Sequence, residues 1–312
     1  MTSATWRGTE AASAGGGTVR SSQRRRLRAA LLLTLGVLAV EIAGGIVSHS
    51  LALLADAAHL FADLAALILA YAAMTMADRA PTGRHTFGLY RAEILAAFVN
   101  AQVLLVMAVA IFVEAVSRFS SPVPVQARVM LVVAAFALVA NLAAMRLLSH
   151  GHAHKDSLNL RAAYLEVFTD MIGSAAVLAA AILIPLTGWL KLDAVVSGLV
   201  ALVILPRAVG LLRQSAHILL EGAPGDIDVA GVRDGLLRVP GIEAIHDLHF
   251  WTLTSGLHSA SVHIRARADT SRAEVLRAVQ TILKDSAGCD HATIQVEWGA
   301  EMTCHAANQG HA

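Results

Sequence analysis

The sequence predicts a polytopic α-helical membrane protein with six transmembrane helices, followed by a C-terminal α+β cytosolic domain. Of its 312 residues, 56% are hydrophobic and only 15% are charged, and the mean hydropathy is +0.61. Six apolar segments are each long enough to cross the hydrocarbon core of a bilayer, which is about 30 Å thick. After residue 220 the apolar runs give way to amphipathic and alternating patterns. The net charge of +1 predicts no nucleic-acid partner.

The six predicted spans place both chain termini on the same side of the membrane. Arginine and lysine residues are concentrated before the first span and in the loops after the second and fourth spans, whereas the other loops carry few. By the positive-inside rule, both termini and these two loops are expected to be cytoplasmic. The spans are predicted at 28–48, 51–77, 92–116, 127–148, 161–184 and 193–212.

Four regions are expected along the chain. The basic N-terminal segment 1–27 has no apolar run of the signal-peptide type, and it is expected to be a disordered cytoplasmic tail. The six-helix transmembrane domain is expected at 28–220 and the cytosolic α+β domain at 221–298. The remaining residues, 299–312, are expected to be a flexible tail.

The cytosolic domain is predicted to contain, in order, a helix, two strands, a second helix and a third strand. Ser271 and Glu274 predict a capping box at the start of the second helix. A domain of this size buries only a small core, so dimerisation is expected to stabilise it. The predicted bounds are 226–239 for the first helix and 242–252, 258–268 and 292–298 for the strands.

Two short polar phrases interrupt the predicted second and fifth spans. His59 and Asp63 are four residues apart, as are Glu166 and Asp170, so each pair lies on one face of its helix. Ionisable groups at membrane depth are costly and usually face a cavity or a partner, which makes both pairs candidate functional sites. If the pairs meet, they supply four nitrogen and oxygen ligands for a divalent metal ion. The alternative is two hydrogen-bonded clamps between helices, without a metal.

Other polar residues within the spans are weaker candidates. Asp56 lies one turn before His59 and is expected to orient its imidazole without binding the metal itself. For four further residues the sequence leaves three roles open, namely helix packing, contact with internal water and metal binding. These residues are Glu41, Asn100, Asn141 and Asp193. A short histidine tract between the fourth and fifth spans either collects divalent cations or is a polar linker, and it consists of His150, His152 and His154.

Four phrases of the sequence resemble the cation diffusion facilitator family, and in particular its bacterial cobalt, zinc and cadmium exporters. The phrases are 50–63, 90–100, 163–170 and 245–251. The resemblance extends from about residue 28 to residue 298, and the phrases on the second and fifth spans are its most specific parts. It implies a homodimer with six membrane helices and a metallochaperone-like cytosolic domain, which exchanges a divalent metal ion for protons.

The resemblance implies a transport site that falls on four residues: His59, Asp63, Glu166 and Asp170. Glu166 stands where many zinc-transporting members have histidine. Three carboxylates and one imidazole carry more negative charge than two of each, so the site is expected to tolerate a harder or larger cation. The metal preference is therefore expected to depend on this position.

The resemblance also implies a metal site at a cytosolic dimer interface. It falls on His246 and His263, with Glu297 as the third candidate ligand. His249 is expected to face the opposite side of a regular strand from His246. The alternative is that these histidines are hydrogen-bonded core or interface groups.

Two further positions are weak candidates. His85 matches one ligand of a loop site found in some relatives, but Thr82 and Leu89 stand where other ligands would be, so this site is expected to be absent or weak. Near the C-terminus, Cys304 and His305 either form a soft metal site or belong to a disordered tail.

Taken together, these features predict a secondary transporter in the bacterial inner membrane. It is expected to export zinc, with cadmium and cobalt as further substrates and manganese or iron(II) as alternatives, in exchange for protons. Imidazole and carboxylate groups bind metal only when deprotonated, which couples the two cations. No prosthetic group is expected, and zinc is both the cargo and a candidate structural or regulatory ion. The alternatives are an intramembrane metalloenzyme and a metal-sensing membrane protein.

Overall fold

The computed structural model describes residues 32–77, 82–149, 158–254, 256–289 and 291–298. Within the helices, the side chains at 70, 73–74, 77, 147–149 and 158–167 lie outside this description. The predicted tails at 1–27 and 299–312 lie outside it as well, as does the histidine tract at 150–154.

Six apolar helices form the first part of the described chain. Five are long and apolar enough to cross a membrane, and the first is shorter in the part described here. Their positions agree with the six predicted spans, and the protein is an integral membrane protein. The helices are α1 (Leu32–Ser48), α2 (Leu51–Ala77), α3 (Arg91–Ser120), α4 (Ala127–Ser149), α5 (Leu158–Thr187) and α6 (Lys191–Leu219).

The α+β domain contains two helices and three strands. Its elements are α7 (Val229–Leu237), β1 (Ile242–Thr254), β2 (Leu257–Ala266), α8 (Arg272–Ala287) and β3 (His291–Trp298). β2 is the central strand, antiparallel to β1 and parallel to β3. The predicted element order is confirmed, and the boundaries lie within three residues of the predicted ones.

The chain divides into two compact units, and several helices contribute to both. The first unit contains the described residues up to Ala65 together with Val103–Ala208. The second contains Ala66–Gln102 and the described residues from Val209 onwards. The first unit therefore holds most of the apolar helices, and the second holds the α+β domain together with adjoining helix ends.

Helix α2 lies at the centre of the first unit, because it contributes to each of its three apolar clusters. Leu53 packs with residues of α4 and α5, Leu60 with residues of α1 and α4, and Ala62 with residues of α3 and α6. Alanine is frequent in these clusters. Small side chains let helices approach closely, which matters in a bilayer because the hydrophobic effect does not drive helices together there. Helix α2 thus places Asp56 and His59 in the interior of this unit.

Asp193 caps helix α2 from the start of α6. One carboxylate oxygen accepts hydrogen bonds from Ser50 Oγ at 2.6 Å and from the backbone N–H of Ala52 at 3.2 Å, and the other accepts from the N–H of Leu51 at 2.8 Å. The first N–H groups of a helix have no partner within it, and their positive end attracts an anion. Buried Asp193 therefore holds the start of α2, which explains a charged residue whose role the sequence leaves open.

The core of the α+β domain lies between the sheet and its two helices. Leu236 of α7, Val262 and Ile264 of β2, and Val279 and Leu283 of α8 are all fully buried. The period-two pattern of β2 and the apolar stripe of α8 thus face each other, as their sequences predict.

One feature of this domain differs from the prediction. Ser271 is the N-cap residue of α8, but its side chain makes no capping hydrogen bond, so the predicted capping box is wrong. The N–H of Glu274 instead bonds to the backbone carbonyl of Ser271 at 3.1 Å. At α7, the Asp228 side chain provides the cap by accepting from the N–H of Gly231, which places the helix start later than predicted.

We expect Leu283→Ala to destabilise the α+β domain by about 2–5 kcal/mol, since it empties a fully buried position. The matched control is Leu276→Ala on the same helix, where the side chain is 38% exposed and truncation should cost less than about 1 kcal/mol. Thermal unfolding of the full-length protein, followed by tryptophan fluorescence, measures the difference. Equal destabilisation by the two substitutions would contradict the assigned core.

Candidate metal centres

Three side chains from α2 and α5 converge inside the first unit. His59 Nε2 lies 3.6 Å from Asp63 Oδ2 and 3.4 Å from Asp170 Oδ1. One ligand atom from each residue fits within a span of 4.8 Å. His59 and Asp170 are buried and Asp63 is partly buried. For metal–ligand bonds of about 2.1 Å, tetrahedral geometry requires ligand atoms about 3.4 Å apart, so these separations suit a divalent ion.

The buried atoms of this cluster are incompletely satisfied. Among the described residues, neither His59 Nδ1 nor Asp170 Oδ1 has a hydrogen-bond partner. A buried polar atom without a partner is costly, and its presence requires an explanation. A cation held between the carboxylates supplies one for Asp170 Oδ1.

Glu166 lies on α5, four residues before Asp170, so its backbone is on the same face of that helix. Its side chain lies outside the described residues. The structure thus brings together three of the four residues predicted for the transport site and places the backbone of the fourth one turn away.

Sequence reasoning missed Arg207 of α6. Its Nη1 lies 3.2 Å from His59 Nε2, which adds a guanidinium to the group of three side chains. The signal was present in the sequence, because Arg207 interrupts the predicted sixth span, and an arginine at membrane depth is itself a functional-site candidate.

Asp56 belongs to a hydrogen-bonded chain across three helices. Ser174 Oγ donates to Asp56 Oδ2 at 3.0 Å and accepts from Asn141 Nδ2 at 3.2 Å. Gly173 permits this approach, since a Cβ there would lie 3.0 Å from Asp56 Oδ1. The buried carboxyl group of Glu41 lies beside Asp56, and no donor among the described residues reaches either of its oxygens. Asp56 is thus held one helical turn from His59.

A second cluster forms where the three strands of the α+β domain lie side by side. His246 Nε2 is 3.4 Å from Glu297 Oε1, and His263 Nδ1 is 4.0 Å from the same oxygen. The two imidazole rings meet edge to face with centroids 5.5 Å apart. Gln295 donates a hydrogen bond to Glu297 Oε1 at 3.1 Å and holds the carboxylate in place. The structure therefore brings together all three residues predicted for the cytosolic site.

A bulge in β1 shapes the edge of this second cluster. The pairing register shifts between His246 and His249, and Asp247 adopts a left-handed conformation with φ of 50°. Asp247 Oδ2 reaches to 3.6 Å from His263 Nδ1, whereas the His249 side chain is 58% exposed and lies outside the three-residue cluster. His246 pairs with His263 and His249 pairs with Ser261, two residues away on β2, so the bulge places both histidines on the same face of the sheet. The prediction that His249 faces the opposite side from His246 is wrong, because the strand is not regular between them.

The remaining candidates show no such convergence among the described residues. His85 is exposed and pairs with Thr82 through backbone hydrogen bonds. Asn100 is buried in α3. The positions outside the description are His150, His152, His154, Cys304 and His305.

Comparison with known families settles the kind of protein. Residues 27–220 match the cation efflux transmembrane domain, and residues 224–298 match the cytoplasmic domain of cation efflux proteins. The chain belongs to the cation efflux family. The resemblance to cation diffusion facilitators that the sequence suggested is confirmed, and the protein is a transporter and not an enzyme.

Several characterised relatives align over most of this cation efflux protein. The metal cation efflux system protein CzcD of Cupriavidus metallidurans is 44% identical over 88% of this chain and 86% of its own length. The zinc transporter ZitB of Escherichia coli is 40% identical, covering 90% and 88%. The cadmium, cobalt and zinc/H(+)-K(+) antiporter of Bacillus subtilis is 37% identical, covering 88% and 89%.

One solved structure is also similar in sequence. It is the metal-bound C-terminal domain of the CzcD transporter from Cupriavidus metallidurans, with 39% identity, a TM-score of 0.22 and coverage of 23% of this chain and 99% of that one.

We expect Glu297→Ala to abolish zinc binding at the cytosolic cluster of this cation efflux protein, because it removes the carboxylate that lies 3.4 Å from His246 Nε2. Equilibrium dialysis should count one zinc ion fewer per protomer than in the wild type. Glu243→Ala is the matched control, since Glu243 lies on the same sheet but is exposed and pairs with Arg265. An unchanged zinc count in Glu297→Ala would contradict the assignment of this cluster.

Proposed function

We propose that this protein exports zinc from the cytoplasm in exchange for protons, with cadmium and cobalt as further substrates. The single observation that carries the proposal is the convergence of His59, Asp63 and Asp170 on adjacent helices. A nitrogen ligand and two carboxylates at membrane depth suit a divalent cation. The names of relatives support the choice of metal and the exchange for protons.

The transport site is proposed to consist of these three residues and Glu166. Glu166 precedes Asp170 by four residues, as His59 precedes Asp63, so its backbone shares a face of α5 with Asp170, and it is proposed as the fourth ligand. One imidazole and three carboxylates form a harder set than two of each, which favours tolerance of cations such as manganese or iron(II) beside zinc. Selectivity is therefore proposed to depend on Glu166.

Exchange for protons follows from the chemistry of these ligands. Imidazole and carboxylate groups bind metal when deprotonated, so metal loading releases protons and protonation favours metal release. Imidazole, with a reference pKa of about 6.5, changes its protonation state near neutral pH. If the site opens alternately to the two sides of the membrane, an inward proton gradient drives metal out. Asp56 is proposed to support this site through its hydrogen bond with Ser174.

The surroundings of the site are proposed to follow the family plan. Both termini are placed in the cytoplasm and the protein in a bacterial inner membrane, in keeping with the distribution of arginine. The α+β domain is proposed to form a homodimer and to bind zinc at His246, His263 and Glu297. In that role zinc is a regulatory or structural ion, and at the membrane site it is the cargo.

The proposal is tested by reconstituting the protein in liposomes with an imposed pH gradient and recording zinc and internal pH together. We expect Asp63→Ala and Asp170→Ala each to lower zinc flux at least about 100-fold, because losing a direct ligand costs more than losing a supporting group. The matched control is Glu114→Ala, which removes an exposed carboxylate that pairs with Arg118. It should leave the flux near that of the wild type.

Two results would refute the proposal in different ways. Zinc flux without an opposing proton flux would exclude proton exchange. Unchanged flux in both aspartate variants would exclude the assigned site, whatever the coupling.

A further inference from the structure

Helix α6 places a permanent positive charge beside the proposed transport site. Arg207 Nη1 lies 3.2 Å from His59 Nε2, and a guanidinium can only donate a hydrogen bond. His59 Nε2 is therefore the acceptor, with its lone pair directed at Arg207. The same nitrogen faces Asp63 Oδ2 and Asp170 Oδ1, so it is the atom that a metal ion at this cluster would use.

The guanidinium thus lies in the position from which a metal ion would coordinate the imidazole nitrogen. The single lone pair of His59 Nε2 cannot accept a hydrogen bond from Arg207 and form a bond to a metal ion at the same time. Arginine has a long side chain and stays protonated at physiological pH, so it can withdraw without losing its charge. Loading of a cation requires the guanidinium to leave His59 Nε2, and its return favours release.

The formal charges give Arg207 a second role. With Glu166, the site has three carboxylates, and a divalent ion neutralises only two of them. One guanidinium, one divalent ion and three carboxylates sum to zero. An uncompensated charge inside a membrane is expensive, so this balance favours a guanidinium near a site that has glutamate at position 166. A site with two imidazoles and two carboxylates needs no such extra charge.

We propose that Arg207 sets the affinity of the transport site, because it both competes with the transported cation for His59 and compensates the third carboxylate. This role rests on the proposed function, because it takes Glu166 as a member of the transport site. Arg207 lowers the affinity of the site for zinc and speeds release. It acts without binding the metal itself.

The test measures equilibrium zinc binding to the purified full-length protein. His246→Ala and His263→Ala are present throughout, so that the membrane site alone is titrated. We expect Arg207→Gln to tighten zinc binding on the order of tenfold, as for other residues in direct contact. In liposomes the same variant should lower both KM and kcat, because the ion binds better and leaves more slowly.

Two companion variants separate charge from packing. Arg207→Lys keeps the positive charge, and its zinc affinity should lie between those of the wild type and Arg207→Gln. Arg213→Gln is the matched control, because Arg213 is an exposed arginine on the same helix, and its zinc affinity should equal that of the wild type.

Substitution at position 166 tests the charge balance. Glu166→His alone leaves excess positive charge beside Arg207 and should weaken zinc binding on the order of tenfold. Combining it with Arg207→Gln should restore the affinity to within about threefold of the wild type. If Arg207 had only a structural role, the double variant would bind zinc more weakly than Glu166→His alone.

Weaker zinc binding by Arg207→Gln, or a double variant that binds more weakly than Glu166→His, would overturn the inference. These are binding constants, so they are independent of proton exchange. A failure of the proposed antiport in liposomes is therefore distinguishable from a failure of the role of Arg207.

Discussion

The membrane interior does not solvate ions, and every charged group that α2, α5 and α6 carry into it must be offset by another. Asp63 and Asp170 each have a carboxylate oxygen within 4 Å of His59 Nε2. The guanidinium of Arg207 lies 3.2 Å from the same nitrogen. Carboxylates grouped in this way repel one another unless a cation lies among them. A divalent ion among these carboxylates relieves that repulsion, which is why we propose that the cluster binds a metal ion.

The rest of the first unit positions those side chains. Residues of α2 pack with residues of the five other apolar helices, α1 and α3 to α6. The start of α2 is fixed by the buried carboxylate of Asp193. Gly173 lets α5 approach α2 at the level of Asp56. Helices held in this way keep His59 and Asp170 at a separation that suits metal bonds. Rigid support of this kind is what a metal site needs to discriminate among ions.

Much of this architecture is predictable from the sequence, because its signals are periodic and strong. Long apolar runs define the helices, and the i, i+4 spacing of His59 and Asp63 places both on one face. The register of the strands likewise brings His246 beside His263. These features depend on local spacing and on the cost of burying charge, both of which are visible in one chain.

Other features depend on contacts between distant residues, which no local pattern encodes. Arg207 lies 148 positions from His59, so only the packing of α6 reveals that they touch. The role of Asp193 as a cap for α2 is equally remote in sequence. Ser271 has the sequence of a capping box, yet its side chain does not cap, because the backbone carbonyl alone accepts the N–H of Glu274.

The transported ion is proposed to be bound by one imidazole and by carboxylates from two helices. X-ray absorption spectroscopy of zinc in the full-length protein tests this directly, with His246→Ala and His263→Ala present to exclude the second cluster. We predict nitrogen and oxygen ligands at about 2.0–2.1 Å, with the scattering of a single imidazole. Two or more imidazoles, or a sulfur ligand at about 2.3 Å, would contradict this coordination.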